Sequence, residues 1–278
     1  MKKLNFLFLL PLVACFLTMT SCNSSTQKNG ETANDSIAND SVANEERVSF
    51  SVKGVSFTMI LVKGGTFTMG ATPAQGNDAQ DDEKPVHSVT LSDYYIGETE
   101  VTQALYEAVM GDNPSDVKGA DLPVVNVEWE DGEFFAAKLS ELTGRQFRLP
   151  TEAQWEYAAR GGNKSQGYKY AGSNTLSDVA WTDDIKGGCH PVKEKAPNEL
   201  GIYDMSGNVD EYCDDNYAPY SKDSQTDPKH VSEDGGYVTV RGGSYANGAN
   251  ECRVSRRGSS RGYVFASLGF RIAMTAEK

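Results

Sequence analysis

Apolar and polar positions alternate along residues 48–70, VSFSVKGVSFTMILVKGGTFTMG, with β-branched neighbours and breaks at Gly54 and at Gly64-Gly65. A period of two with glycine punctuation predicts strands joined by tight turns. A polar, acidic loop follows at 72–84, and alternation resumes in VHSVTLSDYYIGETEV, predicting further strand. The pattern then becomes helical. Thr102 is placed to cap TQALYEAVMG, which Gly111 ends. In WEDGEFFAAKLSELTG the apolar residues Phe135, Leu139 and Leu142 fall at i, i+4 and i+7, with Gly144 past the end, predicting an amphipathic helix. Thr151 with Gln154 spells a capping box after Pro150, so a third helix starts there and stops before Gly161. From 161 to 271 no helical period is sustained. Gly, Asn, Asp and Ser dominate, with short apolar pieces such as 237–240, and such a stretch stays ordered only where side chains, ions or disulfides satisfy its backbone groups.

The ends read differently. Residues 1–21 begin with two lysines and an apolar run that breaks before Cys22, which predicts a signal peptide. The run, 4–17, has about 14 residues where a membrane-crossing helix needs about 20. Small residues just before Cys22 resemble the lipobox of bacterial lipoproteins, implying a lipid on Cys22; ordinary cleavage near Ser21 and a free periplasmic product is the alternative. Residues 22–47 have no aromatic side chain and repeat ANDS at Ala33 and Ala38. Such a segment is expected to be a disordered tether spanning roughly 25–30 Å. Residues 48–278 are expected to form one domain.

The formal charge of −13 removes phosphate-backbone partners from consideration, because nucleic-acid affinity depends on concentrated Lys and Arg, so no nucleic acid is expected. Of five cysteines, Cys189, Cys213 and Cys252 would remain in the mature domain. Any of three pairings is open in an oxidising compartment, with Cys213–Cys252 preferred. None has the CxxC spacing of a zinc site. His87, His190 and His230 are scattered and are expected to be surface or hydrogen-bonded histidines.

Several phrases stand in one order: VKGGTFTMG ending at Gly70, GETEVTQALY (97–106), LPVVNVEWEDGEFFAAKL (122–139), RLPTEAQWEYAARGG (148–162), ELGIYDMSGNVDEY (199–212), RGGSY (241–245) and LGFRIA (268–273). Together they resemble the formylglycine-generating, or sulfatase-modifying factor, family. The resemblance implies an α+β fold, a loop-rich variant of the C-type lectin fold with few short helices. It also implies copper(I) chemistry on two cysteines in a CxxxxC arrangement just after the RGGS turn. Here that stretch reads YANGANECRVSRR, with Asn247 and its neighbours where the first thiol should stand and Cys252 alone at the second. Copper(I) seeks paired thiolates, so copper is not expected.

Carried over residue by residue, the family's structural calcium would be held by Asp204, Gly207, Val209 and Glu211, the alternative being solvated loop charges. Asp210 stands where the family commonly has a groove-lining tryptophan. Ser244 and Arg257 correspond to positions beside the active-site groove, with Ser244 expected to be a turn residue first and a ligand contact second; Arg253 and Arg271 belong to the same arginine-rich stretch. The function expected is a membrane-anchored bacterial envelope lipoprotein that recognises a protein, peptide or glycan without catalysis. Two alternatives are an oxidoreductase of the formylglycine-generating type acting through Cys252, and a structural subunit of an envelope secretion or motility apparatus.

Overall fold

The computed structural model describes residues 46–276 apart from 185, 234, 262 and 263. The expected signal peptide, Cys22 and the tether up to residue 45 lie outside the described residues. In chain order the elements are β1 (Arg47–Val52), β2 (Val55–Val62), β3 (Gly65–Met69), β4 (His87–Leu91), β5 (Tyr94–Gly97), α1 (Gln103–Met110), α2 (Trp129–Thr143) and β6 (Phe147–Arg148). Then come α3 (Glu152–Ala159), α4 (Leu176–Val179), β7 (Asp210–Asn216), β8 (Gln225–Thr226), β9 (Val238–Arg241), β10 (Arg257–Ser260), β11 (Leu268–Phe270) and β12 (Ala273–Thr275).

The alternation seen at 48–70 resolves into β1–β3 with the turns at the glycines named above. A five-stranded sheet runs β1-β2-β5-β12-β6, so the last strand is inserted between two early ones. Its two faces follow the period of two. Met59, Leu61 and Tyr95 face one core with α1 and α2, where Tyr106 stacks on Phe135 and Phe270 meets Phe135 edge-on. Ile60, Val62, Tyr94 and Ile96 face a second core with α3, around Trp155. A four-stranded sheet, β10-β9-β7-β11, and a three-stranded sheet, β3-β4-β8, complete the set among the described residues.

The helix starts follow the caps. Thr102 accepts the Leu105 amide (3.3 Å) and Gly111 closes α1 in the left-handed region; Thr151 accepts the Gln154 amide (3.2 Å) in a full capping box. One expectation on α2 fails: Leu142 is 40% exposed, and the buried face is Gly132, Phe135, Ala136, Leu139 and Thr143. The buried stripe runs through Leu139 and Thr143, four apart on one face, and Leu142 falls one position, about 100°, away from Thr143.

All eight residues of α3 are buried, acids included. What makes this tolerable is pairing, since a buried charge without a partner costs several kcal/mol. Glu152 receives Arg257 through Nε (2.6 Å) and Nη2 (2.8 Å), and Glu156 receives Arg160 (2.8 Å) and Arg241. Arg253 makes a fork onto Glu83 (2.7 and 2.5 Å) and Arg271 a fork onto Glu211 (2.6 and 2.6 Å). Burial alone would raise the Glu83 carboxyl, but hydrogen bonds from Arg253, the Gln80 amide and Ser255 outweigh it and bring it down to about 2.

Arg253→Met strands Glu83 in the interior, so the variant is expected to lose about 3–5 kcal/mol at neutral pH. Because the folded Glu83 value lies below its ordinary 4.5, this contribution is complete above pH 4.5 and lost as pH falls toward 2. Urea melts across that range should therefore show the gap between parent and variant narrowing in acid. A gap that stays constant to pH 2 would refute the assignment.

Candidate functional site

Strand β9 delivers Arg241 into the core and the chain then turns through Gly242 and Gly243, both at positive φ. A Cβ on Gly243 would sit 2.8 Å from the Cys252 sulfur and 2.8 Å from the Glu251 carbonyl, so only glycine lets the turn lie this close. Ser244 follows, fully buried. Its amide (2.9 Å) and its hydroxyl (2.7 Å) both donate to Asn247 Oδ1, and its carbonyl accepts the Asn247 amide (3.0 Å). Asn247, at the place of the expected first thiol, therefore closes its own turn.

Cys252 is fully buried and packs with Tyr170 and Val179, its thiol directed at the Gly248 carbonyl (3.7 Å). Burial pushes this thiol up, and Asp210, Glu251 and Asp183 push it further. A thiol that is neither exposed nor ionised is a poor nucleophile, which argues against the expected alternative of chemistry through Cys252 alone. The preferred Cys213–Cys252 disulfide is likewise absent: Cys189, Cys213 and Cys252 are free, and Cys213 sits in the core around Trp155, apart from the cluster holding Cys252.

The expected metal loop is where the structure departs most from expectation. Asp204, Gly207 and Asn208 all adopt positive φ, and a Cβ on Gly207 would meet the Trp181 carbonyl at 2.4 Å. Asp204 is buried and accepts the Lys193 amide (2.9 Å). Glu211 does not close the loop around an ion: both its oxygens are held by Arg271, and Oε2 also accepts the Trp155 indole (2.7 Å). The predicted donor set of Asp204, Gly207, Val209 and Glu211 thus does not fit as written. The unclaimed oxygen belongs to Glu100, which sequence reasoning missed. Its Oε1 accepts the Asn208 amide group (3.1 Å) while buried Oε2 has no partner. Burial and then Asp204 raise the Glu100 carboxyl well above the usual range, and Asp204 itself is raised by burial. Two buried carboxylates in one place with one bare oxygen suit a cation. Glu100 and Asp204 stand 104 positions apart in sequence with no local spacing to link them; the phrase GETEVTQALY was the available signal. Among the described residues no three His, Cys, Asp or Glu side chains are grouped as a metal centre.

Beside this loop stands an aromatic pair from a segment other than that of Asp210. Trp181 stacks on His190 with centroids 3.7 Å apart and planes at 7°, and the Lys195 ammonium lies 3.9 Å over the indole. The segment is tied down by main-chain bonds: Asn208 to the Trp181 carbonyl (2.9 Å), Asp183 to Asn247 (3.1 Å) and Asp184 to Tyr245 (2.8 Å). The His190 amide donates to Asn208 Oδ1 (2.9 Å), and its Nε2 meets Asp184 at 3.1 Å. Asp210 is raised by burial to about 7, with the neighbouring Ser244 acting in the opposite sense.

Arg257 is not part of this assembly. Its guanidinium lies between Tyr220 (3.8 Å) and Tyr217 (4.5 Å), bonded to Glu152, and lines a separate cavity that Ser244 does not reach. The pairing of Ser244 with Arg257 in one ligand pocket is therefore corrected: Ser244 holds a turn and Arg257 a buried ion pair. His87 is buried against Tyr220, and His230 is exposed.

Compared with known proteins, residues 48–276 match the family described as sulfatase-modifying factor enzyme 1-like domain. A chaperone protein named LppX from Paenibacillus barcinonensis is 36% identical over 210 residues, covering 57% of this chain and 71% of that protein. The formylglycine-generating enzyme of Streptomyces coelicolor is 30% identical over 288 aligned positions, covering 78% and 89% respectively. Among solved structures, Treponema denticola variable protein 1 superposes with a TM-score of 0.74 at 32% identity, over 84% of this chain and 100% of that one.

Iodoacetamide applied to the native protein at pH 8.5 is expected to label half-buried Cys189 and to spare Cys213 and Cys252 until denaturant is added. Peptide mass spectrometry reads this directly. Labelling of Cys252 as fast as Cys189 would show that its thiol is not sealed.

Proposed function

The chain belongs to the sulfatase-modifying factor family, and from that premise we propose that it is a binding member anchored to the bacterial envelope, one that lacks copper oxidase chemistry. Its α+β, loop-rich architecture is the formylglycine-generating-enzyme variant of the C-type lectin fold. One observation carries the reading: Asn247 occupies the first thiol position as a turn clasp, leaving Cys252 a lone, buried sulfur. Two thiolates cannot converge on a copper ion from that arrangement. The surface beside it has the make-up of a recognition site instead, with the Trp181–His190 stack flanked by Tyr245 and Asp184 on a segment pinned to the 242–247 turn. With the indole covered by His190 and Lys195, the edges of the stack and its polar rim suit an extended protein or peptide segment.

The N-terminal pattern supports an anchor, with lipid on Cys22 holding the domain clear of the membrane on its tether. A chaperone among the relatives is compatible with a client-binding role outside the cytoplasm. Calcium is retained as a structural ligand on a revised donor pair, Glu100 with Asp204. When bound it would neutralise two buried carboxylates; Asn208 keeps Glu100 oriented toward that position.

Incubation of the purified protein with copper, a thiol reductant, oxygen and a CxPxR peptide is expected to leave the peptide cysteine unchanged by mass spectrometry. Formylglycine at catalytic turnover would end this reading. Calcium at a hundredfold excess over its dissociation constant should raise the melting temperature by about 5–10 °C. Asp204→Asn and Glu100→Gln should each abolish that rise, and a rise that survives both changes would place the ion elsewhere.

A further inference from the structure

The cavity lined by Arg257 lies where the three-stranded sheet, the start of α3, the end of β7 and the 218–230 loop meet, and it has a volume of about 250 Å³. That is just under the ~300 Å³ at which pockets for drug-sized molecules begin, so it suits a single ring. Its deep wall is made of charged or polar side chains that are nearly inaccessible: Arg257 is 2% exposed, His87 5%, Glu152 6% and Asp215 6%. The family resemblance gave Arg257 to another place and assigned nothing here.

The cations in this wall are already paired. Glu152 is held by the Arg257 fork and by the Tyr220 hydroxyl (3.3 Å). Asp215 accepts two amides, from His230 and Glu152, each at 2.8 Å. At the mouth Lys229 pairs with Asp214 (2.8 Å). An anion entering the cavity would therefore find no unpaired Lys or Arg and would meet Asp215, which is held by amides alone, so desolvating it there would be costly.

Neutral hydrogen-bonding capacity does remain. The His87 Nδ1 donates to the Pro85 carbonyl (3.2 Å), which fixes the tautomer and leaves Nε2 an acceptor with no partner among the described residues. Asn216 uses its Oδ1 for the Ser232 amide (2.7 Å), leaving its NH₂ as a donor. The Gln225 amide and the His230 ring, both lining the mouth, offer donors and acceptors. The remaining surface is aliphatic, from Met69, Ala153, Pro219 and Pro228. The Tyr220 ring carries the Arg257 guanidinium and a T-shaped contact with His87 at 4.8 Å, which leaves the His230 ring at the mouth as the aromatic surface open to a ligand.

We infer that this cavity binds a neutral, hydroxyl-rich saturated ring, that is, a single sugar residue, either free or at the end of a glycan. Alternating donors and acceptors serve its hydroxyls, and the aliphatic wall serves its C–H face. The site is independent of the Trp181–His190 surface, so failure of either proposal leaves the other standing.

Saturation-transfer NMR on the full chain tests it, with methyl glycosides of glucose, galactose, mannose and N-acetylglucosamine as probes, and acetate and inorganic phosphate as charged probes. At least one glycoside should receive transfer, and the anions should neither bind nor compete. Gln225→Ala combined with His230→Ala, at the solvent side of the cavity and outside every buried ion pair, should weaken that glycoside about tenfold with an unchanged melting temperature. Tighter binding of an oligosaccharide ending in the same residue assigns the cavity to a glycan end, and equal binding to the free sugar; both support the proposal. No transfer from any glycoside, transfer unaffected by the double variant, or competition by acetate or phosphate overturns it.

Discussion

Buried arginines facing buried carboxylates hold this protein in shape. Arg241, Arg253, Arg257 and Arg271 are each no more than 2% exposed, and each reaches a glutamate between 60 and 170 residues away in sequence. The planar fork of five donors lets one arginine satisfy a carboxylate and stray carbonyls together: Arg253 also reaches the Asn250 and Asp78 carbonyls, and Arg271 those of Gly97 and Tyr203. A region with few ladders of its own thereby gains partners for its backbone groups.

Such pairs specify more than they stabilise. Desolvating both charges cancels much of their attraction, whereas any alternative packing that separates them leaves a bare charge in the interior. Helix α3 shows the effect. Its acids at 152 and 156 would be solvated on an ordinary surface helix, yet here they point at arginines from β9 and β10, so the helix can be buried on every side. The same constraint acts on the candidate sites. Glu211 belongs to Arg271 and is withdrawn from metal binding, while Glu100, with no arginine fork of its own, keeps a free oxygen beside Asp204. Arg257, committed to Glu152, lines a separate cavity.

The turn at 242–247 carries the contrast between scaffold and chemistry. Its glycines and Ser244 preserve a close approach to residue 252, yet the side chain at 247 spends its oxygen on the turn itself. The scaffold thus persists without the second sulfur, and the surface beside it is filled by an aromatic pair from a different segment, Trp181 and His190, where the family commonly relies on the position held by Asp210.

Local physics was legible in the chain. The alternation of 48–70, the Thr102 and Thr151 caps and the glycines after α1 and α2 each act within a few residues, so the sequence alone determined those elements, and the ordered motifs determined the family and its fold. The missing first thiol was equally plain from one stretch of 13 letters. Partner choice was not legible. Which glutamate each arginine takes, that Leu142 turns outward, that Cys213 and Cys252 lie in separate cores, that Glu100 meets Asp204, and that Arg257 leaves the Ser244 turn for another cavity were settled by tertiary structure. The physical reason is common to all of them: these contacts join residues far apart in the chain, and their energies depend on burial and on competition among partners, quantities that exist only once the whole chain has packed.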